Sequence, residues 1–332
     1  MNFESIRGQD IIKNILTESV VSGRVNHAYM FCGADGIGKF SVAEGFASML
    51  VCSAPDEEGR PCGKCEACIL RQNGTNPDIT VVDLPEGKSV IGVDRIRTVN
   101  EDVMTAPLYS ARKVYIIRHA DAMNAPAQNA LLKTLEEPPA YVVIILLAAN
   151  PSLMLDTIAS RVIRLDMARY SREEIRQALE DRMIDPGDDE VVFSYADGII
   201  GRAIEYYDDS ASAEIRDELL NIVLGLKKGG VDFRMKAADR LSALKARKDF
   251  VFFTLLSYYR DIAALGRYGS FSKAENPGRL SELKEGAKSI GYYDAMNCID
   301  IINKAWQRIR QNSNYELVTA AMLIEIQEVL CG

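Results

Sequence analysis

The feature that most constrains this chain is the alternation of short apolar runs with helical patterns in its first half. The runs are apolar at consecutive positions, and the longest is Ala140–Ala149 ("AYVVIILLAA"). Strands that are apolar on both faces are typical of parallel sheets covered by helices on both sides. The sequence therefore predicts an α/β domain. Its strands are predicted at Ala28–Cys32, Asp78–Leu84, Lys113–Arg118, Tyr141–Ala148 and Arg161–Met167.

The second half of the chain shows only helical periods. Ser171–Glu174 ("SREE") fits a capping box, in which the Ser and Glu side chains satisfy free N–H groups at a helix start. The last helix has Leu317, Ala321 and Ile324 on one face. Breaks between helices are predicted at Gly198–Arg202, Asp208–Ser212 and Tyr268–Arg279.

The length of 332 residues is enough for two or three domains. We predict an α/β, then all-α organisation. The α/β domain covers residues 1–167, a small helical module covers 168–208, and a helical bundle covers 209–332.

The N-terminal residues and the net charge bear on the cellular location and the binding partners of the protein. The N-terminus, "MNFESIRGQD", has no basic stretch followed by an apolar one, so we expect no signal peptide. The longest apolar run is too short to cross a bilayer. We therefore expect a cytoplasmic protein with no membrane partner. The net charge of −8 argues against a protein that grips DNA phosphates alone, because that task needs a basic face.

Four cysteines lie at short spacings. Cys62, Cys65 and Cys68 are separated by two residues each, and Cys52 lies ten residues upstream. Cys-x-x-Cys lets two sulfurs reach one ion from a tight turn, and four thiolates complete a closed, structural zinc site. In a reducing compartment such clustering favours a metal over disulfides. We predict structural zinc on these four residues, in a module at about 52–70, with Cys32 as the alternative fourth ligand.

The stretch "CGADGIGKFS" has most of a phosphate-binding loop. Gly33, Gly38 and Lys39 fit the G-x-x-x-x-G-K frame between a predicted strand and a predicted helix, which is the context that this loop requires. Its backbone N–H groups could still cradle an anion. The next residue should be a Ser or Thr that ligates magnesium, but it is Phe40. Ser41 is turned about 100° around the helix, so it is a poor substitute.

A nucleotide-hydrolysing site also needs acidic residues at the end of the third strand, where an Asp helps to hold magnesium. There the sequence reads "VYIIRHAD". Arg118 and His119 take the acidic positions, and Asp121 comes too late. Because two magnesium-related positions are changed together, we predict that ATP is not hydrolysed here and that its binding is absent or passive.

Ser160 and Arg161 fall between a short predicted helix and the last strand, at the edge of the sheet. An arginine there could point out of the domain. Its residue type and position alone predict nothing more than a solvated or ion-paired side chain.

These motifs together resemble the δ′-type subunits of the bacterial DNA polymerase III clamp loader, a branch of the AAA+ ATPases. The resemblance covers essentially the whole chain. Its most specific parts are the cysteine module and "NALLKTLEEPP" at Asn129–Pro139. The other matching stretches are "GQDIIKNIL" at Gly8–Leu16, "HAYMFCGADGIGK" at His27–Lys39, "NPDITVVD" at Asn76–Asp83, "SRV" at Ser160–Val162, "GRA" at Gly201–Ala203 and "NSNYELV" at Asn312–Val318.

The resemblance implies an architecture and a set of partners. It implies a P-loop AAA+ domain with the inserted zinc module at 1–167, a helical lid at 168–208 and a collar at 209–332 that joins a circular pentamer. The partners would be γ/τ-type ATPase and δ-type subunits. The complex would open the ring-shaped sliding clamp and place it on primed DNA during replication.

The resemblance also implies roles for single residues. Subunits of this type usually do not hydrolyse ATP but act as a rigid stator. They lend a neighbouring ATPase an arginine finger, and here the matching residues are Ser160 and Arg161. Val162 replaces the cysteine of the family's Ser-Arg-Cys motif. Asn150 and Arg202 fall at the family's sensor positions. Because no working nucleotide site is expected next to them, we expect both sensors to be vestigial.

Two other functions remain open at this point. An ATP-hydrolysing γ/τ-type motor would share the fold and the zinc module, but it should show Gly-Lys-Thr and an Asp-Glu pair. A zinc-dependent DNA-binding module would need a basic surface around the cysteines. That surface is mixed, because it carries Asp56, Glu57, Glu58 and Glu66 beside Arg60, Lys64 and Arg71.

Overall fold

The structure is a computed structural model that describes residues 3, 6–187, 190–208, 212–269, 275–311 and 313–331. Parts of the predicted breaks at Asp208–Ser212 and Tyr268–Arg279 lie outside these residues. The chain divides into two compact units. One comprises Met1–Met183 and Gly198–Gly201, and the other comprises Ile184–Asp197 and Arg202–Gly332. The division into three domains at 167 and 208 stays a prediction.

The first unit is built on a five-stranded parallel sheet with the order β2-β3-β4-β1-β5. The strands are β1 (Ala28–Cys32), β2 (Ile79–Val82), β3 (Lys113–Ile117), β4 (Val142–Ala148) and β5 (Ile163–Asp166). Strands β1, β3 and β4 are buried at every position, as consecutive apolar residues predict. The predicted α/β class is confirmed, and each strand lies within its predicted range.

Seven α-helices lie in the described residues of the first unit. They are α1 (Asp10–Val21), α2 (Lys39–Val51), α3 (Glu66–Gln72), α4 (Val93–Asp102), α5 (Ala125–Glu136), α6 (Asp156–Ala159) and α7 (Arg172–Glu180). Ile96 of α4 and Leu131 of α5 are fully buried in the core beneath the sheet. Helix α7 starts with the predicted capping box of Ser171 and Glu174. Because the strands are parallel, the residues that follow β1, β3 and β4 meet at one edge of the sheet.

In the second half, the described residues form helices joined by turns and loops, and none of them lies in a strand. The helices are α8 (Glu190–Ala196), α9 (Ile200–Asp208), α10 (Ser212–Gly225), α11 (Val231–Ala243), α12 (Lys248–Tyr268), α13 (Leu280–Ile290), α14 (Tyr292–Arg310) and α15 (Tyr315–Cys331). Helix α15 packs through Tyr315, Met322 and Ile326, which are buried. The face that carries Leu317 and Ile324 points outward, with 72% and 41% of these residues exposed. None of the described helices is both long and apolar enough to span a membrane.

Candidate functional site

The glycine loop lies between β1 and α2, as predicted. Gly36 and Gly38 have φ values of 82° and 97°, which side chains other than glycine rarely adopt. The carbonyl oxygen of Gly36 accepts a hydrogen bond of 2.9 Å from the N–H of Gly201. A Cβ atom on Gly201 would lie 2.7 Å from the Cα of Gly36. Positions 36 and 201 must therefore both be glycine for the tip of the loop to contact the backbone at Gly198–Gly201, which lies in the same unit.

Lys39 is turned back onto this loop. Its ammonium group donates to the carbonyl oxygens of Gly33 at 2.6 Å and Ala34 at 3.0 Å, and to Oδ1 of Asp35 at 3.2 Å. Only 10% of its side chain is exposed. A lysine has three N–H donors, so these three acceptors satisfy all of them. In this conformation Lys39 ties the loop together and has no donor left for a phosphate.

The residue after Lys39 is Phe40, and a cationic side chain lies against its ring. The guanidinium of Arg118, which directly follows β3, lies 4.8 Å from the centre of the Phe40 ring. Its Nη1 atom lies 2.6 Å from Oδ2 of Asp83, and Nε2 of His119 lies 3.9 Å from the other oxygen of Asp83. Magnesium requires several oxygen ligands in octahedral geometry. Here the residue after Lys39 is a phenylalanine and the residue after β3 is an arginine, and neither side chain offers an oxygen ligand.

Asp83 was not predicted from the sequence. It directly follows β2, and β2 pairs with β3 in parallel, so Asp83 and Arg118 end neighbouring strands. The sequence does contain a signal for this pair, because one predicted strand has an acidic residue next to its end and another ends at a basic residue. The strand order is needed to know that the two strands are neighbours.

Asp121 and Asn150 build the turn that follows β4. Oδ2 of Asp121 accepts from the backbone N–H groups of Ala149 at 3.0 Å and Asn150 at 2.7 Å. The Asn150 side chain accepts from the N–H of Ser152 at 3.1 Å. Arg202 lies in α9 and belongs to the second unit. The sensor roles of Asn150 and Arg202 stay predictions.

Arg161 lies just after α6 on the surface of the first unit, and three groups hold its guanidinium. Nη1 donates to the carbonyl oxygen of Thr157 at 3.0 Å and to Oγ of Ser160 at 3.2 Å. Nη2 lies 3.0 Å from Oε1 of Glu136. The structure thus brings the predicted pair of Ser160 and Arg161 into contact. Glu136 was missed, although it lies within the "NALLKTLEEPP" motif.

The four predicted zinc ligands converge at the other end of α2. Their Sγ atoms all lie within 4.8 Å of one another. Cys52 is the C-cap of α2 and Cys65 is the N-cap of α3. Zn–S bonds of about 2.3 Å in a tetrahedron put the sulfurs about 3.8 Å apart, so the group fits a zinc ion. The alternative ligand Cys32 lies in β1 and is not a member of this group.

Backbone N–H groups stabilise thiolates within this cluster. The N–H groups of Lys64 and Cys65 lie 3.5 and 3.3 Å from Sγ of Cys62, and they lower the pKa of its thiol. Burial opposes ionisation of Cys65, but hydrogen bonds from Ser53 outweigh it and lower the pKa of Cys65 to about 6. Burial and the thiol of Cys65 raise the pKa of Cys68 to about 12. A bound dication would remove the remaining thiol protons and make all four residues thiolate ligands.

The parallel sheet and the glycine loop between β1 and α2 define the fold as that of P-loop nucleotide-binding proteins. A family model described as "DNA polymerase III, delta subunit" matches residues 8–171. This match and two curated δ′ subunits confirm the resemblance of the chain to the δ′-type subunits of the DNA polymerase III clamp loader.

Three curated relatives show how far the similarity extends. The chain is 29% identical to the τ subunit of DNA polymerase III from Bacillus subtilis, over 98% of this chain and 61% of that protein. It is 34% identical to the δ′ subunit from Pseudomonas aeruginosa, over 63% of this chain and 64% of that subunit. It is 28% identical to the δ′ subunit from Bacillus subtilis, over 96% of both. The chain therefore spans less than two thirds of the first two relatives.

Proposed function

We propose that this chain is a non-hydrolysing stator of the bacterial DNA polymerase III clamp loader. In this role it joins γ/τ-type ATPase and δ-type subunits and helps to load the sliding clamp onto primed DNA. Its catalytic contribution is Arg161, which it supplies in trans as an arginine finger to a neighbouring ATPase. Zinc on the four cysteines is structural, and the glycine loop keeps its shape without hydrolysing ATP.

The contact of Arg118 with Phe40 and Asp83 is the observation that carries this proposal. In P-loop ATPases the residue after the loop lysine and an acidic residue after the third strand hold magnesium. This chain has a ring at the first position and a guanidinium at the second, 4.8 Å apart. Without a bound dication the γ-phosphate lacks the charge that stabilises its transfer.

The exposure of Arg161 supports a role outside the chain. Its side chain is 37% exposed, and a guanidinium keeps its charge at any pH at which proteins fold. An arginine finger supplied by another subunit increases the hydrolysis rate by about 10³–10⁵. This corresponds to about 4–7 kcal/mol of barrier. Loss of hydrolysis in this subunit is therefore compatible with a large contribution to the assembly.

A γ/τ-type motor is the second candidate, and the match to a τ subunit over 98% of this chain favours it. It is distinguished by ATP hydrolysis in the purified chain alone. A motor hydrolyses ATP steadily and requires magnesium, whereas the stator gives only the background rate. Steady, magnesium-dependent turnover by the unaltered chain would exclude the stator.

The arginine finger is tested in the assembled loader. Arg161→Ala should leave the subunit folded and assembled, yet most ATP turnover with clamp and primed DNA should be lost. Arg97→Ala is a matched control, because Arg97 is also an exposed arginine paired with an acidic residue of its own unit. Unchanged turnover in the Arg161→Ala loader would refute the proposed finger.

A further inference from the structure

The guanidinium of Arg161 is held at its two ends by different elements. Its Nη1 end is bound by its own helix, through the carbonyl oxygen of Thr157 and Oγ of Ser160. Oγ of Ser160 in turn donates to the carbonyl oxygen of Thr157 at 3.1 Å. The Nη2 end is bound by Glu136, the last residue of α5. Fixing both ends restricts a side chain that otherwise has many rotamers.

We propose that Glu136 is a positioning residue for Arg161. Its carboxylate fixes the direction of the guanidinium, so that the finger is already oriented when the neighbouring subunit binds ATP. This inference rests on the function proposed above. It adds a residue from a different helix, 25 positions before the arginine in the sequence, to the pair Ser160 and Arg161.

The arrangement leaves part of the guanidinium able to bind a phosphate. Of its five N–H donors, the two on Nη1 are used by Thr157 and Ser160. Nη2 lies 3.0 Å from Oε1 of Glu136 as an ion pair. Among the described residues, no hydrogen bond is recorded for Nε–H or for the N–H groups of Nη2. Nε and Nη2 lie side by side on one edge of the planar fork, which is the geometry that binds two phosphate oxygens.

The strength of the ion pair sets the size of the expected effect. Arg161 and Glu136 are 37% and 51% exposed, and pairs at such sites are weak. Glu136 should therefore bias the orientation of the finger without locking it. We expect its removal to lower the rate by about two- to fivefold, far less than removal of the arginine itself.

The chain offers a matched control at the next position. Glu137 is also exposed and follows α5 as its C-cap, and no ion pair is recorded for its side chain within the described residues. Glu136→Ala and Glu137→Ala remove the same charge from adjacent positions. A general effect of charge or of helix stability would appear in both variants.

The test compares four altered subunits in the assembled loader, with ATP turnover measured in the presence of clamp and primed DNA. They are Glu136→Ala, Glu137→Ala, Arg161→Ala and the double variant of Glu136 and Arg161. We expect Glu136→Ala to lower kcat about two- to fivefold with an unchanged KM for ATP, and Glu137→Ala to have no effect. In the Arg161→Ala background, Glu136→Ala should cause no further loss, because its effect passes through the arginine.

The outcomes separate this inference from the proposed function. If Arg161→Ala leaves turnover unchanged, the arginine finger itself is refuted. If Arg161→Ala abolishes turnover but Glu136→Ala behaves like Glu137→Ala, only the positioning role is refuted. A loss that persists in the Arg161→Ala background would make Glu136 a structural residue. A rise in turnover would make it a restraint on the finger, which also contradicts the proposal.

Discussion

The glycine loop and the cysteine module lie at opposite ends of the same helix and differ in the contacts that their polar groups make. Gly38 precedes the first residue of α2, and Cys52 follows its last residue. At the C-terminal end, four sulfurs converge on one point. At the N-terminal end, the loop lysine binds its own loop, and a guanidinium faces the ring of Phe40. The module presents four cysteines that could hold one ion, whereas the loop lysine and the residue after it are engaged by groups of the chain itself.

The two kinds of site differ in how far the fold depends on their ligands. A zinc ion contributes directly to the stability of a small module, so each ligand is also a structural residue. Magnesium in a P-loop site is held largely by the nucleotide and by few side chains, so its ligands are not needed for folding. In this chain the loop is held together from within, by Lys39 and by the contact of Gly36 with Gly201.

Removal of zinc should give the largest effect. Structural zinc sites have apparent binding free energies of about 10–16 kcal/mol, part of which stabilises the fold. We expect a strong chelator or Cys65→Ser to loosen residues 52–72 and to lower the melting temperature substantially. Differential scanning fluorimetry with metal analysis measures this. Cys331→Ser is the control, because Cys331 is exposed and lies outside the cluster. If protein purified without chelator contains no zinc, the zinc site is refuted, and so is the contrast between the cysteine module and the glycine loop.

Replacement of Lys39 should come next. Lys39→Met removes the donors to Gly33 and Ala34, and loss of such bonds near a buried group costs about 1–3 kcal/mol. We expect urea unfolding to show a loss of this size. Lys88→Met is the control, because Lys88 is exposed. If Lys39 instead serves a bound nucleotide, the variant should lose ATP affinity and keep its stability without ligand, which would contradict its role in the loop.

Replacement of Phe40 should have a smaller effect on stability and none on hydrolysis. Phe40→Thr restores the hydroxyl of a P-loop but leaves Arg118 in place of an acidic residue. We expect ATP hydrolysis by the purified variant to stay at background. Loss of the contact with Arg118 should cost about 0.5–1 kcal/mol. Steady magnesium-dependent turnover by this variant would mean that a single residue separates the loop from a working site.

The sequence predicted those features that depend on spacing within one segment. The strands follow from consecutive apolar positions, and the four cysteines follow from turn geometry and were found together. The partners of Arg118 and Arg161 were missed, because Asp83 and Glu136 reach them only through the order of the strands and helices. Periodicity placed Leu317 and Ile324 on one face of α15, but it could not show that this face points outward. Sequence patterns identify the faces of helices and the ligands within one segment. Contacts between distant segments can be known only from the fold.

Asp56 gives the smallest expected effect and tests whether the module also depends on its own hydrogen bonds. Its Oδ1 accepts from the N–H groups of Glu58 and Arg60, and its Oδ2 accepts from Nε of Arg60 at 2.7 Å. Hydrogen bonds from the side chain and backbone of Arg60 lower the pKa of Asp56 below its ordinary value of 3.8. A carboxylate with a lowered pKa stabilises the fold above its unfolded pKa, and this contribution is lost as the pH falls through the folded value.

Asp56→Asn should therefore unfold at slightly lower urea concentration than the unaltered chain at pH 7. The difference should shrink below about pH 4, because the unaltered carboxylate is then increasingly protonated. Zinc loss in acid affects both proteins, so the difference between them isolates Asp56. A difference that stays constant down to pH 3 would show that the carboxylate charge does not stabilise this turn. The module would then depend on its zinc ligands alone, and the contrast with the self-bonded glycine loop would be sharper.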